Sequence, residues 1–401
     1  MNKYDRTIII VLDSLGIGNA HDADKFNQEN VPDTGSNTFN HIAEKYPNMN
    51  VENLKKLGLN DLVPALNGQK VAHPNSFTLA LNEISNGKDT MTGHWEMMGV
   101  LTETPFQTFT TTGFPKELVD ELERRTGHKI IGNYSSSGTK ILEDLGEEQM
   151  RDNSLILYTS ADSVLQLAAH EEVTGVPELY RCCEIARELC MDPKYFVGRI
   201  IARPFIGKDK TCFKRTANRH DYAVKPPVKT VMNILEENGY ETSCIGKIND
   251  IFDGYGVTRT QKTVSNVDGM NKLIEEVKNM NYKGICFVNL VEFDSEFGHR
   301  RNVEGYKDAI ETFDKQLGEL LEVLKEKDLL MITADHGNDP TWIGSDHTRE
   351  QVPLIIYSKS IKNGGNLADK ECFGSIGHTI LHNFGLKSTE NLHGTEIKEL
   401  F

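Results

Sequence analysis

Six residues of metal-binding type stand singly or in close pairs along the chain. They are Asp13 in VLDSLG, Asp294 and His299 in VEFDSEFGH, Asp335 and His336 in TADHG, and His347 in SDHTRE. Carboxylate and neutral imidazole are ligands for Mn, Zn or Fe, and the lack of thiolates among them disfavours a structural zinc site. Three carboxylates and three imidazoles divide into two sites. Two divalent ions would carry +4 against −3, leaving a cationic centre ready for a phosphate. A single Asp-His pair is ordinarily a solvated loop, because loops are polar for solvation reasons alone. Several such groups, each following an apolar run, form a pattern instead. A seventh element is SNGKDTMTGHWEMMG, residues 85–99. Gly87 and Gly93 flank Lys88-Asp89-Thr90 and allow close backbone approach, and Thr90 offers a hydroxyl that a nearby divalent ion would make nucleophilic. Spacing alone leaves Thr92 as an equal rival, with His94 and Trp95 read as packing.

The elements that must position these groups are short and apolar. TIIIVLD (7–13), KGICFVNLVEFD (283–294) and DLLMITADH (328–336) each run into an aspartate, as buried parallel strands do where open α/β sheets bind ligands. Between the last two, apolar residues at 306, 309, 310, 313, 317, 320, 321 and 324 give helical spacing over Val303 to Lys327. The result is a strand-helix-strand unit of a parallel sheet. Two further helices are expected, one at 36–46 after Gly35 and one at 228–241 closing on Gly239.

From about 101 to 221 the Asp-terminated strands stop. TTTGFPKEL, helical stretches, SLILYTSADS and FVGRIIARPF follow, with proline and charge breaking the periodicity near 103–106 and 219–227. The expected organisation is a catalytic core from 1–102 and 222–401, interrupted by a smaller inserted α/β cap at 103–221.

Composition limits the partners. A formal net charge of −15 argues against nucleic acid or an anionic membrane, since both demand a positive face. Nothing calls for an obligate protein partner. Seven cysteines without a CxxC pair suggest reduced thiols in a cytoplasm. The apolar run after Arg6 is too short for a signal or spanning segment, so no export is expected. Within this acidic chain, Lys194 to Lys229 holds ten Lys and Arg against two Asp, a local +8. Arg199, Arg203, Arg215 and Arg219 are candidates to grip a phosphate, arginine being suited to bidentate contact. Asp162 and Lys247 are candidates to hold sugar hydroxyls or phosphate.

The motifs VLDSLGIG, GKDTMTGHWE, SADSVLQLAAHE, GRIIARPF, RHDYA, GKINDIF, VEFDSEFGHR and TADHGNDPTWIGSDHTRE closely resemble those of the bacterial phosphopentomutase family, within the alkaline phosphatase superfamily. The likeness spans essentially the whole chain. ADHG is common across the superfamily, whereas GKDTxxGHWE with the ARPF and RHDYA segments is specific. The resemblance implies an alkaline-phosphatase-like three-layer α/β core with a mixed, mostly parallel sheet and an inserted cap. It also implies two Mn²⁺ per chain, one on Asp294, His299 and His347 and the other on Asp13, Asp335, His336 and Thr90, with Asp346 not a ligand. Thr90 is then the phosphorylated residue.

Such an enzyme would interconvert ribose 1-phosphate, or 2-deoxyribose 1-phosphate, with the 5-phosphate. Phosphothreonine and ribose 1,5-bisphosphate would be intermediates, and a sugar bisphosphate such as glucose 1,6-bisphosphate or ribose 1,5-bisphosphate the activator. Excluding water and holding a second phosphate both suit a closing cap. The alternatives are a cofactor-independent phosphoglycerate mutase, whose nucleophile is serine on a longer chain, and a metal-dependent phosphatase of the same superfamily. A non-catalytic metal-binding protein is disfavoured because all seven positions are filled.

Overall fold

Branched residues in TIIIVL build the strand Arg6–Leu12, buried along its whole length at the centre of an eight-stranded sheet. The computed structural model describes residues 3–27, 31–160 and 162–401. Arg6–Leu12 pairs in parallel with Gly284–Leu290 on one side and Asp328–Thr333 on the other. The expected strand-helix-strand unit is present, its helix running Val303–Val323, but the crossover spans the intervening Arg6–Leu12 strand. Beyond Gly284–Leu290 lie Glu241–Ile245 and Arg259–Gln261, also parallel. On the other edge Val352–Tyr357 runs antiparallel to Asp328–Thr333 and to Ser76–Leu81. The sheet is therefore mixed and mostly parallel. Helices Asn266–Asn279 and Val303–Val323 pack together, as do Val231–Glu237 and Ser375–Phe384, giving a layered α/β arrangement. The helix expected at 36–46 runs Thr38–Lys45, and that at 228–241 runs Val231–Glu237 with Gly239 at φ 76° just beyond it.

The chain divides into two compact units, Met1–Glu103 with Lys225–Phe401, and Thr104–Val224. The second unit has its own sheet, with Ile130–Ser135, Leu155–Thr159, Val164–His170 and Arg199–Ile206 in that order. Leu155, Leu157, Leu165, Leu167, Ile200 and Ala202 point to one apolar core with helices Lys116–Thr126 and Val176–Leu189. All seven cysteines are free thiols, and only Cys212 is exposed. Among the described residues no helix is long and apolar enough to cross a membrane.

Candidate metal centre

Three adjacent parallel strands of the first unit deliver the carboxylates at one end of the sheet. Asp13 follows Arg6–Leu12, Asp294 follows Gly284–Leu290, and Asp335 with His336 follows Asp328–Thr333. All four are buried, as is His347. Ser14 takes up a left-handed conformation (φ 71°) that turns the chain sharply after Asp13. Its N–H donates to Asp335 Oδ1 at 3.0 Å, tying two of the strand ends together.

One group forms around His336. The imidazole donates from Nδ1 to the Gly337 carbonyl (3.0 Å), which leaves the Nε2 lone pair facing inward in the neutral ring. Nε2 lies 3.4 Å from Asp13 Oδ1, 3.4 Å from Asp335 Oδ2 and 3.3 Å from Thr90 Oγ1. Asp13 Oδ1 has no hydrogen-bond partner, and Asp335 Oδ2 has only His94 Nδ1 nearby at 3.2 Å, an N–H that is directed to the Thr90 carbonyl. Buried acceptors converging on a lone pair repel one another unless positive charge lies among them. The same field acts on the ring: burial disfavours an imidazolium, but Asp335 and Asp13 outweigh it and push His336 well above the ordinary histidine range. Asp335, although buried, is held down to about 2 by His336 and His94. Asp13 is pushed up by burial and by Asp335.

A second group adjoins the first. Asp294 Oδ2 lies 3.1 Å from His299 Nε2 and 3.5 Å from His347 Nε2. His299 donates from Nδ1 to the Ser345 carbonyl (2.6 Å), so its Nε2 also presents a lone pair. His347 Nε2 is buried and accepts no hydrogen bond. His336 is shared, because its ligand atom and those of Asp294 and His347 lie within 4.8 Å of one another, as do those of Asp13, Asp335 and His336. Donor type, burial and unsatisfied atoms fit two neighbouring divalent ions. Asp294 lies in a π-helical turn, Phe293–Gly298, that His299 caps, its N–H donating to the Asp294 carbonyl at 2.9 Å.

Thr90 does not sit on the loop that its flanking glycines suggest. It opens the helix Thr90–Met97, capped by Asp89, whose Oδ1 accepts from the N–H groups of Met91 (3.0 Å) and Thr92 (3.1 Å). The rival hydroxyl is consumed, since Thr92 Oγ1 donates to Asp89 Oδ2 at 2.6 Å. Gly93 lets this helix press on a ligand strand: a Cβ there would lie 2.2 Å from the Asp335 carbonyl oxygen. His94 and Trp95 are buried, and the His94 ring donates to the Thr90 carbonyl at 2.8 Å.

Two amides that sequence reasoning passed over hold the ligands in place. Asn289 donates to Asp13 Oδ2 at 2.9 Å, and Asn338 donates to Asp294 Oδ1 at 2.7 Å. A neutral side chain inside an apolar strand was the only signal for Asn289, and Asn338 lay in plain view beside ADHG. Asp346 accepts from the His347 N–H at 2.8 Å.

The remaining candidates distribute as follows. Lys247 is half-buried just after Glu241–Ile245, at the same end of the sheet as Asp294. In the second unit Arg203, Arg215 and Arg219 line one cavity of about 650 Å³. Burial lowers the Arg203 pKa and the neighbouring Arg219 and Arg215 lower it further, the mark of a site short of negative charge. Arg219 is forked onto Asp221 at 2.6 and 2.7 Å. Arg199 is absent from that cavity's lining and bonds Asp162 at 3.2 Å.

A family model described as the metalloenzyme superfamily matches residues 5–388. The chain is 53% identical over 397 residues to a protein of Clostridium beijerinckii named phosphopentomutase, covering 99% of each. It is 54% identical over 399 residues to the phosphopentomutase of Clostridium botulinum, covering 100% of this chain and 99% of that one. The chain belongs to the phosphopentomutase family. It is thus a metal-dependent enzyme of the isomerase class. A solved structure from Pyrococcus horikoshii, 13% identical, aligns over 96% of this chain and 99% of its own with a TM-score of 0.50, a likeness of fold alone. In this phosphopentomutase-family chain every metal-ligand type expected from the sequence stands within the clusters described above.

Proposed function

We propose that the chain interconverts ribose 1-phosphate, and its 2-deoxy analogue, with the corresponding 5-phosphates by way of phosphorylated Thr90. The observation that carries this reading is the Thr90 hydroxyl at 3.3 Å from His336 Nε2, beside two unsatisfied carboxylate oxygens. Asp13, Asp335, His336 and Thr90 would hold one ion, and Asp294, His299 and His347 the other; Mn²⁺ is the ion assigned to both. When bound, the pair supplies positive charge that offsets the charge of the phosphoryl oxygens in flight. Asp89 fixes Thr90 at a helix N-terminus, where the helix dipole favours the phosphate.

In the forward half-reaction phospho-Thr90 gives its phosphoryl group to O1 of ribose 5-phosphate. A new O–P bond forms at O1 as the bond to Thr90 Oγ1 breaks, and the proton lost by O1 is balanced by the one Thr90 Oγ1 regains. Ribose 1,5-bisphosphate then turns round and returns its 5-phosphoryl group to Thr90, leaving ribose 1-phosphate and a recharged enzyme. Arg203, Arg215 and Arg219 are assigned to the phosphate that is not reacting, and Arg199, Asp162 and Lys247 to the sugar hydroxyls and phosphate. Glucose 1,6-bisphosphate or ribose 1,5-bisphosphate would prime Thr90. The enzyme would act in the cytoplasm on pentose phosphates, without nucleic acid, membrane or an obligate protein partner.

Phosphorus NMR of ribose 5-phosphate with Mn²⁺ and a trace of glucose 1,6-bisphosphate tests the reading. Both pentose monoesters should equilibrate with little inorganic phosphate. Dominant release of phosphate would make the protein a phosphatase, and turnover of 3-phosphoglycerate instead would make it a glycerate mutase.

A further inference from the structure

Lys88 stands two residues before Thr90 and belongs to no metal cluster, yet two distant segments meet on it. Its ammonium is mostly buried and donates to both oxygens of Asp33, at 2.9 and 3.0 Å. It also lies 3.8 Å from Asp346 Oδ2. Asp33 is only 1% exposed and accepts as well from the Arg349 N–H at 2.7 Å. The other oxygen of Asp346 accepts from the N–H of His347, a metal-ligand candidate. Lys88 therefore connects the segment before the nucleophile with the segment carrying His347, by way of two carboxylates that bond to nothing on the Thr90 helix.

The same two segments are already fastened by a stronger device. The Arg349 guanidinium, 1% exposed, donates from Nη1 to the carbonyls of Ser85 (2.9 Å) and Gly87 (2.5 Å) and to Glu83 Oε2 (2.6 Å), and from Nη2 to the Glu83 carbonyl (2.5 Å). Arg349 suffices to hold residues 83–87 on the body of the unit. Its guanidinium makes no bond to residue 88, the last position before the Asp89 cap; the Arg349 N–H reaches Lys88 only by way of Asp33. A mostly buried lysine costs desolvation free energy, which its carboxylate partners offset, while Arg349 separately attaches residues 83–87. What Lys88 adds is register: it sets where the cap begins relative to His347.

We propose that Lys88 is a positioning residue, holding Thr90 Oγ1 in line with the metal centre through Asp33 and Asp346. This rests on Thr90 being the phosphorylated residue. Misplacing a reacting atom by about 1 Å costs about 100-fold in rate. Loss of Lys88 should therefore act on the transfer step and leave both metal and substrate binding in place.

The test compares full-length wild type, Thr90→Ala, Lys88→Met, Lys88→Arg and Asp346→Asn. Intact-protein mass spectrometry after incubation with glucose 1,6-bisphosphate measures phosphorylation, elemental analysis measures Mn²⁺, and steady-state kinetics separate kcat from KM. Lys88→Met should keep the wild-type metal content and a KM for ribose 5-phosphate within about twofold, while kcat falls by about 10- to 100-fold. Lys88→Arg should recover most of that loss. Asp346→Asn keeps the acceptor for the His347 N–H and should lose less, in the same direction, so that it serves should Lys88→Met fail to fold. Wild-type kcat in Lys88→Met and Asp346→Asn overturns the proposal, and so does a fall in kcat accompanied by loss of metal or a large rise in KM. A phosphate still carried by Thr90→Ala would refute the assignment of the nucleophile, an outcome read separately from the Lys88 variants.

Discussion

The Thr90 hydroxyl faces His336 Nε2 at 3.3 Å, whereas the Thr92 hydroxyl, two residues on, is turned away to donate to Asp89 at 2.6 Å. Two threonines that spacing alone could not rank thus have different partners, the second held by the capping aspartate. Thr90→Ala should carry no phosphate after incubation with a sugar bisphosphate. Thr92→Ala should still be phosphorylated and should lose on the order of 1 kcal/mol of stability with its hydrogen bond. Intact-protein mass spectrometry decides, and phosphate on the first variant with none on the second would reverse the assignment.

Asn338 donates to Asp294 and accepts from Arg301 Nη1 at 2.6 Å. It orients a carboxylate and is not itself among the metal-ligand candidates. Asn338→Ala should weaken Mn²⁺ binding at the Asp294 group by about 10- to 100-fold. Titration of metal-free protein should show one weakened and one ordinary site. Equal loss at both, or none, would sever Asn338 from the Asp294 group.

Arg203, Arg215 and Arg219 line one cavity, and with Asp221 already forked onto Arg219 a bound anion would relieve the remaining repulsion among their charges. Arg203→Met should raise KM for ribose 5-phosphate, with an effect on kcat/KM of about 2 kcal/mol or more if the contact is desolvated. Phosphorylation of Thr90 by the activator should be retained at saturation. Unchanged kinetics in single variants of all three arginines would remove this cavity from the account.

Glu350 is buried, accepting from the Thr38 and Thr348 hydroxyls at 2.8 and 2.7 Å and from the Thr38 N–H at 2.9 Å. Burial, reinforced by Asp339, pushes its pKa from 4.5 up to about 7. Across that window the folded state keeps a proton that the unfolded chain has released. Stability therefore is full below pH 4.5 and falls as pH rises through about 7, by on the order of 3 kcal/mol in all. Glu350→Gln removes this dependence, since the two hydroxyls can turn to accept from its amide. Urea unfolding at pH 5 and pH 8 should show the variant gaining on the wild type at the higher pH. A difference that does not change with pH would refute the shift.

The clustered carboxylates were legible because apolar strands ending in Asp13, Asp294 and Asp335 combine two strong signals, hydrophobic run and charge, at one place in the chain. Thr90 was harder to place. TMTGHWEM has a glycine and two threonines, poor helix formers, and reads as a loop; the helix forms because Asp89 caps it and because Gly93 admits the Asp335 carbonyl, a contact 242 residues away in sequence. Asn289 and Asn338 were missed for a different reason. A neutral amide announces neither charge nor periodicity, and its role appears only with the carboxylate it meets. The second sheet, with its own apolar core, was foreshadowed only by a change of pattern near 103 and 221, and the structure divides at 103/104 and 224/225.

The π-helical turn has a consequence for what sequence change this site can absorb. Along an ordinary helix, side chains five apart point about 140° away from each other, since each residue turns the chain by about 100°. The wider turn from Phe293 to Gly298 brings positions 294 and 299 back to the same side, joined by the His299 N–H to Asp294 carbonyl bond. Within the turn Gly298 is constrained too, since a Cβ there would lie 2.9 Å from the Asn338 amide, but the spacing between 294 and 299 is fixed by length above all. Shortening it by a single residue would restore regular helical bonding and swing His299 off Asp294. For this stretch of chain an indel should do more harm than replacement of Ser295, Glu296 or Phe297.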